Sequence, residues 1–174
     1  IGKSAFEGCT GSITNLNIID EVDEDPTGGI NIGDRAFYGC KNLKTRLVLH
    51  SFINSIGEYA FAYCTGLGSD PITIYAKTIQ PYAFLGCETF SSPITIYSKE
   101  IKFHCFDRDT LKDLTFISNI EYNEDDEDSM NQIESYAFYD IQINGLLTIK
   151  SNVKINSYAF AFCTFSQDIL IDSE

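Results

Sequence analysis

The sequence predicts an α/β repeat solenoid, on three observations. A nine-residue motif, Ile-x-x-x-Ala-Phe-x-x-Cys, recurs along the chain; a short alternating strand follows each copy; and copies start 22 to 24 residues apart where nothing is inserted. Self-similarity at such a period marks a chain built from stacked supersecondary units. A chain of 174 residues then forms one domain, 1–174, with a sizeable core.

Seven copies align. They read IGKSAFEGC from Ile1, IGDRAFYGC from Ile32, IGEYAFAYC from Ile56, IQPYAFLGC from Ile79, IKFHCFDRD from Ile101, IESYAFYDI from Ile133 and INSYAFAFC from Ile155. Their starts lie 31, 24, 23, 22, 32 and 22 residues apart. Ile, Ala, Phe and Cys fall at i, i+4, i+5 and i+8, which puts them on one face of a short helical turn. An apolar–variable–apolar triplet follows each motif, at 16–18, 47–49, 72–74, 94–96, 114–116, 147–149 and 169–171. Period two with branched residues favoured reads as a strand whose outer pair faces inward. Each unit is thus one strand and one compact helical turn, with an apolar residue such as Leu43, Leu67 or Phe90 between them. No unit can bury its apolar face alone. Stacked at the inter-strand spacing of about 4.8 Å, neighbours supply one another's core and form a continuous parallel sheet.

Two inserts, at 20–29 and 121–131, account for the long spacings; each follows the strand and precedes the next Ile. They hold eleven acidic residues and no Lys or Arg, leaving 14 acidic and 12 basic residues elsewhere. The net charge of −13 therefore belongs to the loops, around a nearly neutral scaffold. That charge argues against nucleic acid, which wants a basic patch. No apolar run approaches the roughly 18 residues of a membrane span, so no membrane insertion of this segment is expected. The inserts contain two near-matches to a calcium loop. In the first, Asp23, Asp25, Thr27, Gly28, Ile30 and Asp34 have the spacing, but Pro26 interrupts it. In the second, Asn123, Asp125, Glu127, Ser129 and Glu134 have it, but Asp128 stands where Gly is needed. Solvated acidic loops are the simpler reading, so no metal or cofactor site is assigned.

Five of the six cysteines, Cys9, Cys40, Cys64, Cys87 and Cys163, occupy one motif position and form an inward column. Small buried hydrophobes are the simpler role, although adjacent coils would lie close enough for Cys9–Cys40 or Cys64–Cys87 disulfides. A Cys-His hydrolase needs a thiolate beside a base in a cleft. His104 adjoins Cys105, but Cys105 replaces a core Ala, and adjacent residues on a turn point apart. His50 ends a strand far from any unusual Cys. No catalytic residue is assigned.

The recurring IGxYAFxxC followed by LTI or ITI resembles the BspA-like class of leucine-rich repeats, known from surface proteins of anaerobic bacteria and parasitic protists. The resemblance covers essentially the whole chain. It implies a leucine-rich-repeat solenoid of about seven coils, curved and right-handed, with the parallel sheet on the concave face and short helical turns opposite. It also implies a non-catalytic adhesion or binding module for proteins or other macromolecules, at the cell surface or secreted. Departures are local: the fifth copy has Cys105 at the Ala position and Asp109 at the Cys position, and the sixth ends in Ile141. A charged Asp109 among buried thiols should turn outward or be hydrogen-bonded.

Outward positions on the strands give two columns. One holds Thr73, Thr95, Thr115 and Thr148; the other holds His50, Tyr75, Tyr97 and Lys150. Together they suggest a recognition strip on the concave face, with Tyr75 and Tyr97 as amphipathic anchors. The same residues are also good strand formers that pair across neighbours. A third column, Tyr59, Tyr82, Tyr136 and Tyr158, recurs too regularly for a site and reads as a structural ladder. The chain opens inside a motif and is expected to be a piece of something longer. Neither end has a polar cap, so end-to-end self-association of a structural segment is the alternative function.

Overall fold

Branched residues at alternating positions form strands where the period-two pattern places them. The computed structural model describes residues 1–13, 16–18, 29–43, 48–68, 70–117, 131–150 and 153–172. In chain order the strands are β1 (Asn17–Ile18), β2 (Ile30–Ile32), β3 (Val48–Ile56), β4 (Ile72–Ile79), β5 (Thr89–Phe90), β6 (Ile94–Ile101) and β7 (Thr110–Leu111). They continue as β8 (Leu114–Ile117), β9 (Asn131–Ile133), β10 (Gln142–Ile143), β11 (Leu147–Lys150), β12 (Val153–Ile155), β13 (Thr164–Phe165) and β14 (Ile169–Asp172). The long sheet runs β1-β3-β4-β6-β8-β11-β14, with β2 beside β3, β9 beside β6 and β12 beside β9. A second sheet, β13-β10-β7-β5, takes in the apolar residues between motif and strand, such as Phe90 and Leu111. Pairing is parallel and sets like on like: Ile72, Thr73, Ile74 and Tyr75 lie beside Ile94, Thr95, Ile96 and Tyr97.

The long strands run further than the triplets, reaching the Ile that opens the next motif. Along β4 burial alternates from Ile72 to Ala76, then passes over Lys77 and Thr78 before Ile79 is buried. The same slip occurs in β6. A strand whose inward phase shifts by one residue has turned a corner, so each coil carries two outer faces of sheet rather than one.

The expected helical turns opposite the sheet are a misreading: among the described residues there is no helix. Each motif is instead a run of β-turns. In the third copy Tyr59 and Tyr63 adopt φ of 56° and 58°, left-handed values that a helix excludes. Ala60 N donates to Gly57 O, Ala62 N to Tyr59 O and Cys64 N to Phe61 O, each closing a four-residue turn. The intervening amides of Tyr59, Phe61 and Tyr63 donate to Pro81, Ala83 and Leu85 carbonyls of the next coil. Left-handed backbone costs an L-residue roughly 1–2 kcal/mol, and a ladder of bonds between coils offsets it. The i, i+4, i+5, i+8 spacing buries the same four residues in either backbone. Hydrogen bonds to the neighbour, absent from a single helical turn, decide between them.

The inward residues form columns. Phe6, Phe37, Phe61, Phe84, Phe106, Phe138 and Phe160 stack one ring per coil at 4.9–5.4 Å, tilted by 2–11°. All six cysteines are free thiols, and the column takes the packing role. Cys40, Cys64 and Cys87 donate to the carbonyls of Phe6, Phe37 and Phe61 in the preceding coil, at 3.0, 3.0 and 3.2 Å. Asp109 keeps the column's place at 1% exposure. It is not turned outward: its Oδ1 accepts from Glu88 N at 2.9 Å.

Candidate functional site

The strip foreseen on the first outer face is assembled by register. Thr73, Thr95, Thr115 and Thr148 align across β4, β6, β8 and β11, as do Tyr75, Tyr97, Ile117 and Lys150. Tyr75 and Tyr97 stack at 4.2 Å and 6°, the closest ring pair among those described. Loss of solvent first, and then the Tyr97 hydroxyl, raise the Tyr75 phenol above its usual range. Two strip residues stand apart. The register of β3 against β4 shifts between Leu49 and Ile53, and His50 lies within that stretch. Thr148 is only 6% exposed, which leaves little of it for a partner. The inserts and both calcium spacings lie largely outside the described residues.

The tyrosine column has a fifth member that the sequence reading left out. Tyr59, Tyr82, His104, Tyr136 and Tyr158 stack in order at 4.8, 5.4, 5.8 and 5.4 Å, all within 7° of parallel. All five have positive φ, from 52° to 63°, because the motif's fourth residue is where the first turn needs it. The signal was present, since His104 occupies that motif position. The imidazole therefore works as a flat ring in a ladder and is not poised over a nucleophile. Cys105 is fully buried, and burial pushes its thiol well above the ordinary range. The same cause lifts Cys64 to about 12 and Cys163 to about 11. None of these is a thiolate at neutral pH.

The second outer face, past the corner, was missed altogether. Gln132 Nε2 donates to Glu100 Oε1 at 2.6 Å, and Asn156 Nδ2 donates to Gln132 Oε1 at 3.2 Å. Lys102 Nζ lies 2.6 Å from Glu100 Oε1 and 2.9 Å from Glu134 Oε1. Burial works against the Lys102 charge, but its bonds to Glu100 and Glu134 prevail and raise its pKa. The sequence signal was polar residues on either side of the motif Ile from the fourth coil onward. It was hidden because the strands were read as ending before that Ile.

Among the described residues no group of three or more His, Cys, Asp or Glu side chains could hold a metal ion. No helix among them is long and apolar enough to cross a membrane. A family model of six copies of the BspA type leucine rich repeat region matches residues 1–127 and 125–174. No curated protein and no solved structure gave a significant match.

Proposed function

This chain belongs to the BspA-type leucine-rich-repeat family, and from that premise we propose that it serves adhesion by docking a protein partner on the first outer face of its sheet. Repeats of this family are non-catalytic scaffolds that typically mediate protein–protein contacts. The observation that carries the choice of face is the stacked Tyr75–Tyr97 pair. Stacking fixes both rings, so their amphipathic edges are presented with little rotamer entropy left to lose on binding. Thr73, Thr95 and Thr115 flank them in register, half-buried on strands that have a paired strand on either side. An adhesive role places the protein at the cell surface or in secreted form. Antibody labelling of intact cells tests that placement; labelling that requires permeabilisation refutes it.

The docking face is tested with immobilised extracellular proteins and biolayer interferometry. Tyr75→Ala combined with Tyr97→Ala should weaken a bound partner by tenfold or more, and unchanged affinity moves the contact elsewhere. One observation favours the second reading, a self-associating segment. The amides of Tyr158, Phe160 and Phe162 bond to no carbonyl among the described residues, and Phe162 is 73% exposed. A further coil of the same kind, whether of this chain or of a second copy, would cover those groups. Light scattering across concentrations separates the readings, since monomers throughout count against assembly.

A further inference from the structure

We infer that the groove over coils five to seven is a saccharide site, holding a neutral sugar ring between Phe103 and the amides of Gln132 and Asn156. The groove is open to solvent, offers about 440 Å³ and is lined by Phe103, His104, Gln132, Glu134, Tyr136 and Asn156, with Ser135. Small-ligand sites span roughly 300–1,000 Å³. Its residues follow the corner in the long strands or open the next motif, so it is separate from the Tyr75–Tyr97 strip and independent of the protein-binding proposal.

The first support is Phe103, 42% exposed. It is the one aromatic at the motif's third position, where other copies have Lys3, Asp34, Glu58, Pro81, Ser135 and Ser157. A lone exposed ring is ordinary. This one is held edge-on to Tyr82 at 5.6 Å and 86° and to His104 at 5.9 Å and 87°. The fixed ring can serve as a platform.

The second support is the hydrogen-bond count. Gln132 spends one N–H on Glu100 and its carbonyl on Asn156, while Asn156 spends its N–H groups on Gln132 and on Ile133 O. These bonds settle which end of each amide is oxygen. The remaining N–H of Gln132, the carbonyl of Asn156 and the hydroxyl of Ser135 have no partner among the described residues. Donor and acceptor capacity thus stands beside a flat apolar ring.

The third support is charge. Lys102 lies across Glu100 and Glu134, and Glu134 Oε2 also accepts from Phe103 N at 3.3 Å. A phosphate would meet two carboxylates, and an ammonium would have to displace Lys102. A wholly apolar ligand would strand the amides without partners, which costs binding. The chemistry that satisfies all three is a neutral ring with a C–H face for the phenyl and hydroxyls for the amides.

The test titrates the ¹⁵N-labelled 174-residue chain with glucose, galactose, mannose, N-acetylglucosamine and cellobiose. Each is taken to roughly 50 mM, above the millimolar affinity expected of so small a ligand. At least one sugar should shift the amide resonances of Phe103, Ser135 and Asn156 saturably. Phe103→Ser should weaken that binding by about tenfold or more. Serine is native at this position in coils six and seven, so the fold is kept, and an unchanged spectrum elsewhere verifies it. Asn156→Ala should weaken binding without altering the Phe103 platform. The proposal is overturned by no saturable shift with any sugar, by shifts confined to Tyr75 and Tyr97, or by binding that survives Phe103→Ser. It is equally overturned if tetramethylammonium or inorganic phosphate produces the groove shifts and the sugars do not.

Discussion

In the fourth coil Ile94 and Ile96 are 1% and 0% exposed; at the same places in the seventh, Ile169 and Ile171 are 49% and 59% exposed. The two strands are near-identical in pattern and pair in the same way. Their difference lies in what stands beside them. β6 has β4 on one side and β8 on the other, whereas β14 pairs only with β11 among the described strands. Burial in this protein is therefore supplied by the neighbouring coil, as a repeat architecture requires.

That comparison breaks or sharpens in three measurements. The largest effect is expected at the ring ladder. Phe84→Ala removes a fully buried ring stacked on both faces, at 5.3 Å from Phe61 and 4.9 Å from Phe106, and should cost about 3–5 kcal/mol in urea denaturation. Phe160→Ala, half-buried and stacked on Phe138 alone among the described rings, should cost only about 1–2 kcal/mol. Equal losses would mean that each coil holds its own core, and the comparison would fail.

The next effect contrasts the fifth coil with its neighbours. Burial raises the Asp109 carboxyl well above its ordinary 3.8, so the folded protein holds a proton that the unfolded chain releases. Stability from this residue is complete below pH 3.8 and is lost as pH rises towards the folded value. Asp109→Asn keeps the acceptor for Glu88 N and removes the titration. It should stabilise the protein by about 1–3 kcal/mol at neutral pH and flatten the pH dependence of the urea midpoint. An unchanged profile would mean that Asp109 is not the titrating group. The smallest effect compares Ile96→Val, about 1 kcal/mol, with Ile171→Val, below roughly 0.5 kcal/mol. A reversed order would deny that position along the stack sets the cost.

Much of the inward architecture was legible because repetition makes it so. Seven copies of the motif, five of them with Ile, Ala, Phe and Cys all in place, named the buried set, and the triplets named the strands to within a few residues. The Tyr75–Tyr97 pairing followed from aligning those triplets. The groove was not legible, because its residues lie past a corner that no periodicity announces. Gln132 and Glu134 flank an Ile read as the start of a helix, when it is the end of a strand. His50 was placed in a column by counting along the triplet, and the count runs into the stretch between Leu49 and Ile53 where the register of β3 against β4 shifts.

The sequence by itself determined the period, the identity of the inward residues and the location of the acidity in two inserts. These follow from composition and spacing, because a column of identical residues can face only one way if every coil is to bury it. Only the tertiary structure decided the backbone of the motif, the corner in the strands and the second outer face. Left-handed residues such as Tyr59 and Tyr63 are unfavourable alone. They become favourable when the amides they release meet carbonyls on the adjoining coil, and no reading of one coil contains that partner.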